Sequence, residues 1–147
     1  MRKVFYNSWL AKYLLFPAYP TAMMLGSIHT KRDRKNPLSE EVKRHESTHC
    51  EQYWEITMMA FIVALGLQIA FGGGWWFIVV PFVYYLLYFL EAALTWGIRL
   101  CTHGWSEAMD MAYDNSMFEQ EARLAESDPT YNEYRRFCAF LRFFGKI

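Results

Sequence analysis

Net charge is the first thing this sequence lacks. Its 147 residues carry fifteen Lys and Arg against fifteen Asp and Glu, a formal net charge of zero. With no basic excess to neutralise a phosphate backbone, a general nucleic-acid binder is excluded. Cysteine is scarce: Cys50, Cys101 and Cys138 are an odd number in no framework-like spacing, which excludes a disulfide scaffold and leaves small buried thiols as the expectation. No internal repeat or low-complexity segment occurs, so a solenoid is set aside. A charged fraction of 20% beside 19% aromatics excludes disorder for most of the chain. The apolar stretch behind Arg2 and Lys3 is broken by Asn7, Ser8, Lys12, Pro17 and Pro20, too interrupted for the core of a cleaved signal peptide.

The most informative absence is local. Residues 56–90 contain no charged side chain. Gly72, Gly73 and Gly74 sit in the middle of this block, and each costs about 1 kcal/mol relative to Ala inside a helix. The block therefore reads as two helices and a turn. The first, residues 56–71, rises about 24 Å and falls somewhat short of a hydrocarbon core of about 30 Å. Tyr53 and Trp54 before it, with Trp75 and Trp76 at the turn, are placed as interfacial anchors, and the second run continues past Glu91 to Leu100. A membrane-embedded hairpin over about 56–100 is expected, the alternative being a soluble hairpin with an all-apolar core. Basic residues lie outside the hairpin except Arg99 at its end, so both termini and the chemistry described below are expected on the cytoplasmic side.

What is present is a single expected domain, 1–147, mainly α, with a short N-terminal strand or hairpin around AMMLGSIHT. His29 in that segment reads as a surface histidine, or else as part of a strand that pairs with an extended peptide. Ser39, followed by Glu40 and Glu41, has the chemistry of an N-cap, and the helix it starts can run unbroken into the apolar block. A further helix is expected from about Ser106 to Ser127, stopped by Asp128 and Pro129. In the last segment, Tyr134, Phe137, Leu141 and Phe144 repeat at helical spacing beside Arg135, Arg136, Arg142 and Lys146. That pattern suits an amphipathic helix lying at the headgroups or packed on the domain.

Within the helix that follows Ser39 stands His45-Glu46-Ser47-Thr48-His49, an HExxH sequence. Residues four apart lie about 40° apart around a helix, so both imidazoles converge on one point, with Glu46 about 100° from His45. Two metal ligands and a general base result. A random order of this composition gives HExxH in roughly one chain in a hundred, so coincidence is a weak competitor. A catalytic zinc needs a third protein ligand and an open position for water. Glu119 and Glu121 compete for that place and cannot share a face, since residues two apart differ by about 200°. On a continuous helical wheel Glu121 joins Glu107, Asp110 and Asp114 in an acidic, solvated stripe. Glu119 lies among Ala108, Ala112, Asn115 and Ala122, where a lone carboxylate needs a partner, and is the expected ligand.

HExxH followed by a later E-x-x-A resembles the gluzincin zinc peptidases, including membrane-embedded prenyl-protein and stress-response proteases. The resemblance is closer to small bacterial membrane proteins that carry HExxHxxQxxE, an apolar hairpin and NxxFExEA. Here the matching residues are His45, Glu46, His49, Gln52 and Glu55, then Asn115, Phe118, Glu119, Glu121 and Ala122, with Tyr131 and Arg135 or Arg136 after them. The resemblance covers roughly residues 20–140. It implies a minimal zincin-like domain binding Zn2+ and cleaving peptide or membrane-associated protein substrates, with the Glu of E-x-x-A as ligand. A long substrate-binding subdomain is not visible.

Gln52 returns to the ligand face and either orients a carboxylate or bound water or simply packs between helices. His103, Tyr113 and Tyr131 are candidates to stabilise an oxyanion. The competing reading is a non-catalytic membrane protein in which zinc ties helices together as a structural or regulatory clip, with Glu121 or His103 as a fourth ligand.

Overall fold

The computed structural model describes residues 2–17, 19–102 and 104–145, in two compact units. One gathers the chain up to Tyr53 together with Ala122–Arg136; the other holds Trp54–Glu121 and the residues from Phe137 on.

The first unit is built on a three-stranded sheet. β1 (Val4–Phe5) runs parallel to β3 (Ser27–Thr30), and β2 (Thr21–Met24) runs antiparallel to it, in the order β1-β3-β2. Between β1 and β2 lies α1 (Trp9–Leu14), whose N-cap Ser8 accepts from Ala11 N. Ala11 of α1 and Ile28 of β3 are fully buried. Met24 and Ser27 are joined by Leu25 and Gly26, with φ of 47° and 74°. Two positive φ values in a two-residue hairpin turn match the right-handed twist of the strands. The strand expected around AMMLGSIHT is thus a hairpin with a third strand added. His29 is not a surface histidine: it lies on the central strand, buried, with both neighbouring strands opposite it. The sheet edges in this unit belong to β1 and β2 rather than to the central strand carrying His29.

The helix predicted to follow Ser39 is α2 (Glu40–Phe71). Ser39 Oγ accepts from Val42 N at 3.4 Å, and Glu40 and Glu41 occupy the first turn. Its residues up to Tyr53 belong to the first unit, where Thr48, Cys50 and Gln52 are fully buried.

The second unit contains the charge-free block. Gly72, Gly73 and Gly74 adopt φ of 70°, 96° and 65°, a left-handed run that only glycine tolerates three times over, and here α2 ends. The chain re-enters helix as α3 (Trp76–Val79), tightens into a 3-10 turn over Val80–Phe82 at Pro81, and continues as α4 (Val83–Leu100). The 32 residues of α2 and the 25 residues Trp76–Leu100 are both long and apolar enough to cross a membrane.

Against the expected single helix over 106–127, the chain forms α5 (Trp105–Asp114), which packs along α4, and α6 (Met117–Ser127). The break falls at Asn115 and Ser116, where Asn115 caps α5 and Ser116 turns the chain into α6. The last segment is not an amphipathic helix either. α7 (Tyr131–Tyr134) is one turn long, Arg135 is extended, and Cys138 takes a left-handed φ of 53° before a 3-10 turn over Ala139–Phe143. Tyr134, Phe137, Leu141 and Phe144 are all exposed, while the buried residues there are Ala139 and Phe140.

Candidate metal centre

The geometry of the two histidines follows from their spacing on α2. His45 and His49, one turn apart, bring their Nε2 atoms to 3.2 Å with the rings nearly perpendicular, at 79°. Two nitrogens at about 2.0–2.1 Å from a tetrahedral zinc stand roughly 3.3 Å apart, so this pair already has the spacing of two ligands. The outer nitrogens are engaged elsewhere. His49 Nδ1 hydrogen-bonds Gln52 Oε1 at 2.8 Å, and His45 Nδ1 lies 3.4 Å from Glu126 Oε2. In the tautomer with the proton on Nδ1, which these acceptors favour, both Nε2 lone pairs are directed to the shared point.

Glu119 supplies the carboxylate. His45, His49 and Glu119 form a cluster that could hold a metal ion: one ligand atom from each lies within 4.8 Å of the others. His49 and Glu119 are buried and His45 half-buried. Two imidazoles and a carboxylate are a donor set that suits zinc.

Glu46 is buried, at 8% exposure, and with His45 lines a cavity of about 250 Å3. Thr21, Arg32 and Glu126 also line it, so the cavity opens beside edge strand β2. A carboxylate next to a histidine in an open cavity is placed to exchange a proton with a molecule bound there.

α6 is held by its ends. Arg44 on α2 donates from Nε to the Ala125 carbonyl at 3.1 Å and from Nη2 to the Glu126 carbonyl at 2.8 Å, filling acceptors at its C-terminal turn. At the other end, Glu91 Oε1 accepts from Met117 N at 2.7 Å and Glu91 Oε2 from Ser116 Oγ at 2.8 Å. Tyr88 Oη donates to Glu119 Oε1 at 2.8 Å.

The other sequence candidates fall as follows. Gln52 reaches the His49 ring. Glu121 is fully buried, unlike exposed Glu107, Asp110 and Asp114, so the acidic stripe drawn on a continuous helix does not exist. Asn115 caps α5, its carbonyl accepting from Gln120 Nε2 at 2.7 Å. Tyr131 is buried in the first unit against the edge of Tyr134, and Tyr113 is exposed on α5. His103 lies outside the described residues.

Three residues escaped sequence reasoning. Glu126 stands seven residues after Glu119, a spacing that returns to the same helix face and was a usable signal. Tyr88 and Glu91 had a weaker one, two polar groups one turn apart in an otherwise apolar run. No family model, curated protein or solved structure matches the chain.

Proposed function

We propose that this chain is an integral-membrane zinc-dependent metallopeptidase hydrolysing peptide bonds in peptides or membrane-associated proteins. One observation carries the reading: the Nε2 atoms of His45 and His49 converge at 3.2 Å while both Nδ1 atoms face acceptors, with Glu119 completing the cluster. His45, His49 and Glu119 would hold the metal. Zinc, when bound, supplies a Lewis acid and a water of lowered pKa. Glu46 is the general base, taking a proton at its carboxylate and returning it to the leaving amine. Edge strand β2, whose Thr21 lines the same cavity, offers backbone groups to an extended peptide.

The membrane part of the reading rests on the two long apolar helices. Ile62, Ile69, Ile78, Leu86, Phe89 and Leu94 are all at least 60% exposed, and only 17% and 11% of the most apolar windows is buried. Surface of that kind needs a lipid or protein cover. The same proposal includes a minimal zincin-like arrangement, with both termini and the metal site on the cytoplasmic side.

The test is metal per chain, measured by elemental mass spectrometry on wild-type protein and His45→Ala purified in detergent. About one zinc in the wild type and none in the variant is expected, with Glu46→Gln keeping the metal and losing peptidase turnover. A well-folded wild type without metal overturns the proposal.

A further inference from the structure

Ser116-Met117-Phe118-Glu119 has the pattern of a capping box, in which the glutamate at the third helical position folds back onto its own N-cap. In α6 the cap is provided differently. Glu91, from α4, accepts from Met117 N and from Ser116 Oγ, while Ser116 N donates to the Tyr113 carbonyl. Glu119 Oε1 accepts from Tyr88, one turn before Glu91 on α4. The Tyr88 ring is itself fixed, stacked on fully buried Phe118 with centroids 5.8 Å apart and planes at 26°.

We infer that Tyr88 and Glu91 form a clamp that makes Glu119 a metal ligand: Glu91 takes over the capping of α6, and Tyr88 fixes the orientation of the Glu119 carboxylate. Both are positioning residues, and the inference rests on the metal-site reading above. A carboxylate ligand has two oxygens and a freely turning terminal bond. A donor on one oxygen fixes the plane of the group and so the direction in which the carboxylate faces the cluster. The clamp comes from the apolar hairpin, so the third ligand is set by the segment whose composition gave least hint of chemistry.

The test is a Zn2+ titration against a competing chelator on the full chain in detergent, for wild type, Tyr88→Phe, Glu119→Gln, the double variant and Glu91→Gln. Tyr88→Phe keeps the ring and its stacking and removes only the donor. It is expected to weaken zinc binding roughly ten- to a hundred-fold while leaving the thermal midpoint of the metal-free protein unchanged. In the Glu119→Gln background the same substitution is expected to add no further loss, because the hydroxyl acts through that carboxylate. Glu91→Gln, which keeps an acceptor for Met117 N and gives up the charge, is expected to weaken binding less than Tyr88→Phe. Equal affinity in wild type and Tyr88→Phe overturns the clamp and spares the metal site. A Tyr88→Phe protein whose metal-free midpoint falls in parallel with affinity also overturns it, since the hydroxyl is then structural. A wild type that binds no zinc removes both.

Discussion

Gln52 and Glu126 act on the histidines through the nitrogen that faces away from the cluster. Removing either acceptor lets the ring take the other tautomer and turn, so Gln52→Ala and Glu126→Ala are each expected to lower zinc affinity about 10- to 100-fold, read by chelator competition. His29 gives a second prediction at this scale. Its ring accepts or donates at Ser8 Oγ, 2.8 Å away, stacks on Phe5 at 4.9 Å, and is buried, and burial holds its pKa below the ordinary 6.5. The unfolded chain therefore takes up a proton at higher pH than the folded one does. The stability due to the neutral ring is complete above about pH 6.5 and declines as pH falls toward the folded value. Thermal midpoints measured in detergent from pH 7.5 to 5 are expected to fall less steeply for His29→Gln than for the wild type. What was legible at this scale was whatever a helix repeats locally: His45, Glu46 and His49 by spacing, Gln52 by its return to the same face. Tyr88 reaches Glu119 across 31 positions of sequence, and no local pattern encodes that pairing.

Among the elements, the β2–β3 turn carries visible strain. Leu25 is a branched apolar residue at φ 47°, half exposed, in a position that favours Gly, Asn or Asp. A left-handed L-residue of this kind costs about 1–2 kcal/mol. Leu25→Asn is accordingly expected to stabilise the first unit by about 1 kcal/mol, seen as a higher denaturation midpoint with the metal-free protein. Helix starts with their own side-chain chemistry were readable from sequence, Ser39 above all, and so was the glycine stop at the end of α2. The break between α5 and α6 was not. Its sequence holds no Gly or Pro, and what separates the helices is a turn at Ser116 whose cap is Glu91 of another helix, accepting from Ser116 Oγ and from Met117 N. The tail misled for a related reason: aromatic spacing at about 3.6 residues suggested a helix, yet Cys138 turns the chain left-handed and Phe140, outside the apolar stripe, is the residue that buries.

For the whole molecule, the decisive question is what covers the outward face of the hairpin. Phe89 stands near the middle of Trp76–Leu100 and is 66% exposed. If lipid covers it, Phe89→Lys carries a penalty of about 2.5–3.5 kcal/mol at the bilayer centre and the protein is lost from the membrane fraction. If water does, the same substitution improves solubility and leaves the protein in the supernatant. The expected outcome of fractionation followed by carbonate extraction is the first. Composition was the legible quantity here: a 35-residue charge-free block marks the hairpin without any knowledge of its contacts.

Glu91 also has a place in time as well as in space. It lies at the far end of the charge-free block, and its partners Ser116 and Met117 are synthesised some 25 residues later. On the proposed membrane reading, until they emerge the nascent hairpin must present a bare carboxylate or wait partly inserted, because an unpaired acid in hydrocarbon is costly. Completion of the hairpin is on that reading tied to translation of α6. Chains cut after residue 114 are expected to leave α4 accessible to an aqueous protease far more often than chains reaching residue 127, and in the Glu91→Leu background that dependence on length should disappear.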